Sequence, residues 1–210
     1  MPITHESLLS LESYARLRPT LRAGAIALRR QRQVHLAASL LVQFENDDTV
    51  RYQIQEVLRA ERLFEEAEVR QELEAYAPLM ADGSSWTATL FLEFPDPAER
   101  QLMLERWVGI DQRLYLRVAT QRTRCRASSG SGPSTPANNP TDGGMARTSA
   151  VHFLRFRPSR DMLNALRLET QAQLLLGCDH PQCCLEVVVP DPVRLQLIAD
   201  LSDERVITPD

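Results

Sequence analysis

The sequence contains no lysine; all 24 of its basic residues are arginine. Codon bias is the ordinary source of such a composition. Its physical consequence is independent of origin: every side-chain cation is planar, permanently charged and suited to two-point pairing with a carboxylate. A basic surplus is absent too. Against 28 acids the arginines leave a net charge of −4 and a pI near 5.6, which argues against a general affinity for nucleic acid or anionic membrane. No apolar run approaches the roughly 20 residues of a membrane-spanning helix. The opening Met1-Pro2-Ile3-Thr4-His5-Glu6 lacks the basic flank and apolar stretch of a secretory leader. Cysteine is scarce, with Cys125, Cys178, Cys183 and Cys184. Adjacent Cys183 and Cys184 are unsuited to bridging each other, so no disulfide framework is read and a reducing, cytoplasmic setting is expected. The GxSxG, HExxH, GxGxxG and phosphate-loop signatures are all missing.

What is present reads as one α+β domain over 1–210, with a helical N-terminal segment at 1–38. Thr4 is placed to cap a first helix that Pro19 ends, and a second runs from about Thr20 to Gln33. Leu40, Val42 and Phe44 alternate with Leu41, Gln43 and Glu45 as a half-buried strand at 39–45. Asp48 or Thr49 caps a long helix to Tyr76, with room for a break. Trp86 to Phe94 alternates as a strand, and Asp96-Pro97-Ala98-Glu99 reads as N-cap, Pro at N1 and Glu at N3 of a helix ending at Gly109. Strands follow at 114–118, 150–156, 172–178 and 184–189, with helices opening at Pro158-Ser159 and at Asp191-Pro192. Residues 127–147 form a Ser/Gly/Pro-rich insert, read as a flexible loop. The succession from 86 to 178 is that of a ferredoxin-like β-α-β-β-α-β core with a mainly antiparallel sheet and both helices on one face.

Charge is segregated. Residues 13–44 hold six Arg and no acid, whereas 45–74 hold ten acids and four Arg. Docking of one segment on the other is the simplest outcome. A nucleic-acid or other anion surface on Arg22, Arg29 and Arg32 of the helix at 20–33 is the minor alternative.

Few residues break the apolar pattern. Glu61, four after Val57 and three before Phe64, falls on the apolar face of the long helix, where a carboxylate must be paired, protonated or ligand-bound. Arg155 is a candidate partner. His152 shares a strand face with Leu154 and Phe156; the common fate of such a histidine is a satisfied core or rim position. Glu56 and Arg59 are placed to pair along the helix. Convergence of Glu56, Glu61, His152 and His180 would build a carboxylate–imidazole site for iron, manganese or zinc. Cys178, Cys183 and Cys184 around Asp179-His180 bring thiolates and an imidazole within seven residues, although their spacing is not that of a zinc finger and buried core thiols are the commoner case.

Several strings in order resemble an uncharacterised bacterial family: Arg51-Tyr52-Gln53-Ile54-Gln55-Glu56 through Leu58-Arg59-Ala60-Glu61-Arg62, Asp82-Gly83 with Trp86-Thr87-Ala88-Thr89, Ser149 to Phe156, and Asp179-His180-Pro181. The resemblance runs from Ile3 to about Leu201. It implies a domain of unknown function encoded beside rubrerythrin and a heterodisulfide-reductase-type iron–sulfur oxidoreductase, hence a role near peroxide defence or electron transfer. It supplies no catalytic residues. The insert at 127–147 is longer than the family pattern, and Cys183, Cys184 and Leu185 stand where a Tyr and a second His are expected. The favoured expectation is an accessory or binding protein acting with those redox partners, with a homodimer compatible; a metal-dependent enzyme is the alternative.

Overall fold

In the computed structural model, residues 3–127, 147–168 and 172–201 are described. The helices are α1 (Leu11–Arg30), α2 (Asp47–Glu61), α3 (Glu66–Tyr76), α4 (Pro97–Arg106), α5 (Arg160–Leu168) and α6 (Asp191–Asp200). The strands are β1 (Gln33–Ala37), β2 (Leu40–Phe44), β3 (Trp86–Leu92), β4 (Leu114–Val118), β5 (Gln121–Ala127), β6 (Val151–Phe156), β7 (Leu174–His180) and β8 (Cys183–Val188). They pair in the order β1-β2-β3-β6-β5-β4-β7-β8, every ladder antiparallel. Four strands on each side of the β5–β6 ladder make two antiparallel halves, and the α+β class expected from the sequence is present.

The β-α-β-β-α-β succession is there with one strand added. The first part of β5 pairs with β4 (Tyr115 opposite Arg124) and its last part with β6 (Cys125 opposite Phe156). Three antiparallel steps now separate β3 from β4, so the two strands run in opposite senses, where a simple crossover would leave them parallel. For the same reason β7 lies beside β4. Helices α4 and α5 still pack on one core. It gathers the inward-facing side chains Val42, Phe44, Leu90, Leu116, Leu154, Phe156 and Leu176 of the strands, closed by Leu163 and Leu166 of α5 and Leu197 of α6. Each such side chain, fully buried, contributes roughly 1.5–3 kcal/mol. A second core lies on the other face of β2, β3 and β6, where Val50, Ile54 and Leu58 of α2 meet Val69 and Tyr76 of α3 and Phe153.

Local expectations fare unevenly. Asp96 caps α4, with Glu99 N–H donating to its carboxylate at 2.7 Å. The helix stops at Arg106, and Gly109 (φ 83°) turns the chain afterwards. Thr4 caps only a 3-10 turn, His5–Ser7, and Ser10 caps α1. Pro19 does not end a helix: α1 runs through it. A mid-helix proline costs about 3 kcal/mol, and here Tyr14 and Ala25 are buried on either side of it, holding α1 by tertiary packing. The expected second helix at 20–33 is the second half of α1, which ends at Arg30, and β1 follows within the segment expected to be helical to residue 38. Asn46 caps α2, with Thr49 completing the reciprocal pair. The long helix breaks at Arg62, which is left-handed (φ 58°). The expected insert at 127–147 lies, over 128–146, outside the described residues.

Candidate functional site

The basic N-terminal segment docks on the acidic one. Along the α1–α2 contact, Arg18 grips Glu56 with two bonds of 2.7 Å, and the Tyr14 hydroxyl donates to the same carboxylate at 2.6 Å. The Arg18 bonds hold the Glu56 carboxyl far below its usual range, at about 2, with the Tyr14 bond adding to the effect against the cost of burial. Burial, and then the bond to Glu56, push the Tyr14 phenol upward. A depressed carboxylate stabilises the fold above its unfolded value of 4.5, and that contribution is lost as pH falls through about 2. Glu56→Gln is therefore expected to be less stable than wild type at pH 7, with the gap closing between pH 4.5 and 2. Urea titrations at several pH values check this; a gap that stays constant with pH refutes it.

The other residues singled out from the sequence sit apart, each with its own partner or in solvent. Glu61 is exposed at the end of α2, not on an apolar face. The left-handed Arg62 ends the helix before Phe64, which is itself 68% exposed, so the pattern linking Val57, Glu61 and Phe64 was carried past the break. Arg59 is exposed beside Glu56, helping to depress it. Arg155 pairs with Asp82, not Glu61, and donates to Ser85 Oγ at 2.6 Å and to Pro78 O at 2.8 Å. Asp179 accepts from Arg122 at 2.6 Å and Arg124 at 2.7 Å, and these bonds lower its pKa. His152 is half-buried, its Nε2 2.9 Å from Thr148 Oγ1; burial lowers its pKa, opposed by the charge of Asp111. His180 is buried, with Nε2 3.3 Å from Val108 O and Nδ1 accepting from Gln182 N at 3.3 Å, so one tautomer serves both nitrogens.

Glu56 and Glu61 share α2, whereas His152 lies on β6 and His180 on β7, and the four do not gather into a metal-holding group among the described residues. Cys178 and Cys183 are buried free thiols, and Cys184 is exposed. Burial pushes the Cys178 thiol up to about 12 and raises Cys183, as for thiols packed in an apolar core. Among the described residues, no three His, Cys, Asp or Glu side chains stand close enough to hold a metal ion.

Two features lay outside the sequence reading. The first is a polar layer beneath α2, where Glu45 is fully buried. It accepts from Thr49 Oγ1 at 2.5 Å, Thr89 Oγ1 at 2.7 Å and Gln53 at 3.3 Å. Burial raises its pKa against the pull of these bonds. The alternation that put Gln43 and Glu45 opposite the core was legible; the helix that covers them was not. The second is a crevice of about 340 Å³ between α1 and α2. Leu21, Gly24, Ala25 and Leu28 form its apolar wall, and Arg51 and Tyr52 border it from α2. Gln55 fixes the preceding chain at its end by a two-way bond to the Leu9 backbone (2.8 and 3.2 Å). Arg51, Tyr52 and Gln55 come from the same string as Glu56.

A family model described as "Protein of unknown function (DUF3501)" matches residues 2–201. Comparison with curated proteins finds no match. A crystal structure of a novel protein of unknown function from Burkholderia pseudomallei K96243 is similar at 37% identity and a TM-score of 0.83, covering 96% of this chain and 100% of that one.

Proposed function

The chain belongs to the DUF3501 family, proteins of unknown function, and from that premise we propose that it is an accessory or binding protein acting with a redox partner of the rubrerythrin or iron–sulfur oxidoreductase type. The observation that carries the binding half is the engagement of the candidate acid–base and ligand groups within the chain: Glu56 by Arg18, Arg155 by Asp82, Asp179 by Arg122 and Arg124, His152 by Thr148. Groups so engaged fix the fold and leave surface recognition as the work of the exposed faces. One such face is α1, where Leu17 is 50% and Ile26 43% exposed among arginines. The partner class rests on the family resemblance alone.

Among the described residues, no helix is long and apolar enough to cross a membrane. Titration of the purified chain with rubrerythrin, and separately with an iron–sulfur subunit of the heterodisulfide-reductase type, tests the proposal. A complex that forms at low ionic strength and weakens as salt screens the arginines is expected. No complex with either partner under those conditions overturns the partner assignment.

A further inference from the structure

We propose that the crevice between the end of α1 and strands β1, β2 and β3 is a binding site for a small carboxylate with an apolar body, and that Arg29 receives the carboxylate. Of the three arginines that suggested an anion surface in the sequence, Arg32 is buried against Asp200 and Arg22 is exposed on α1. Arg29 is half-buried and lines the crevice. Its Nε is shut off from solvent with no acceptor, and among the described residues its side chain has no hydrogen bond or ion pair. Glu45 senses the charge of Arg29, but the Glu45 carboxylate is bonded to Thr49, Thr89 and Gln53 instead. A cation enclosed in this way is the exception in a folded protein, where shielded polar groups find partners. With Nε enclosed, the terminal nitrogens are the edge left for a guest, and two carboxylate oxygens match that edge.

The crevice measures about 300 Å³, at the small end of ligand sites, and Ile26, Leu41 and Phe91 are its apolar lining. Ile26 is left 43% exposed, so an apolar body laid there removes surface from water. Arg30 and Glu93 stand at the rim, both exposed and of opposite sign, which leaves Arg29 as the charge without a bonded counterion. A single negative charge fits this balance, whereas a doubly charged phosphate would set its second charge against Glu93. The negative end of α1 is damped, since Leu28 O and Arg29 O accept from the N–H groups of Gln31 and Arg32 at 3.1 and 3.0 Å.

Phenylacetate, phenylethanol and phenylethylamine share an aromatic body and differ in the head, so NMR titration of the full chain with each is the test. Phenylacetate is expected to move the backbone amides of Gln33, Leu41 and Phe91 saturably. It should bind roughly tenfold tighter than phenylethanol, the scale of one charge-assisted contact, with phenylethylamine weakest. Arg29→Gln should bring phenylacetate down to the phenylethanol level and leave phenylethanol unchanged. Ile26→Glu sets a carboxylate one helical turn before Arg29 and Arg30, at an exposed position where the chain should still fold. It should lower phenylacetate affinity by roughly tenfold or more. Equal binding of the amine and the acid, or tighter binding of phenyl phosphate, overturns the assigned head. Unchanged affinity in Ile26→Glu overturns the site, as do shifts confined to other residues or the absence of phenylacetate binding. Should Arg29→Gln misfold, Ile26→Glu and the wild-type shifts decide.

Discussion

Replacing Arg32 with leucine is expected to destabilise the fold by about 3–5 kcal/mol, the usual cost of removing one partner of a buried ion pair. The Arg32 side chain is wholly buried between α1 and β1. It donates to Phe44 O at 3.1 Å, Glu45 O at 3.2 Å and Gln196 Oε1 at 3.3 Å, and it pairs with Asp200. Leucine leaves two buried carbonyls and a carboxylate without those donors. Burial already raises the Asp200 pKa, against the lowering effect of Arg32. Without the guanidinium that carboxyl rises further. A raised folded value confers stability that is present below the unfolded 3.8 and is lost as pH rises through the folded value; the wild type shares that loss up to its own raised value, so the deficit of Arg32→Leu should widen as pH rises above it. Urea unfolding at pH 4 and pH 7 measures both effects. A variant within about 1 kcal/mol of wild type at pH 7, near the scale of a surface substitution, refutes the assignment.

Trp86→Ala is expected to cost a similar amount, about 3–5 kcal/mol, for a different reason. Trp86 is 1% exposed at the start of β3, and its indole N–H donates to Leu197 O of α6 at 2.7 Å. Alanine removes the ring volume and the donor together. Trp86→Phe keeps most of the volume and leaves the Leu197 carbonyl unsatisfied, for about 1–3 kcal/mol. The two variants separate packing from the hydrogen bond; equal losses would show that packing contributes nothing beyond the bond. Because Arg32 and Trp86 both bind α6, their double variant should depart from additivity.

The sequence made the α+β class and most elements legible because strands such as Trp86 to Leu92 alternate cleanly and because Asp96-Pro97 announces its helix in chemistry as well as pattern. It misled where tertiary packing overrode a local rule, as at Pro19 inside α1. It was silent where an element carries no apolar signal. Strand β5 reads Gln-Arg-Thr-Arg-Cys-Arg-Ala, with Arg122 and Arg124 reaching Asp179 across the sheet, so its alternation is one of charge, not hydrophobicity. Site residues were harder. Glu56 stood out with Arg59 as its expected partner, yet the guanidinium that holds it belongs to Arg18, 38 positions away, and no local pattern names it.

Strand β5 also bears on how the chain reaches and leaves its native state. It is hydrogen-bonded to β4 at one end and β6 at the other, so neither half of the strand series can complete its ladders while the other is unformed. Its neighbours add long closures, with Trp86 opposite Phe156 and Leu114 opposite Cys178. Pairings so distant in sequence impose a high contact order, and domains of that kind fold in milliseconds to seconds, not microseconds. Hydrogen exchange should accordingly find β4, β5 and β6 opening together as one cooperative unit, with α1 released earlier and at lower free energy.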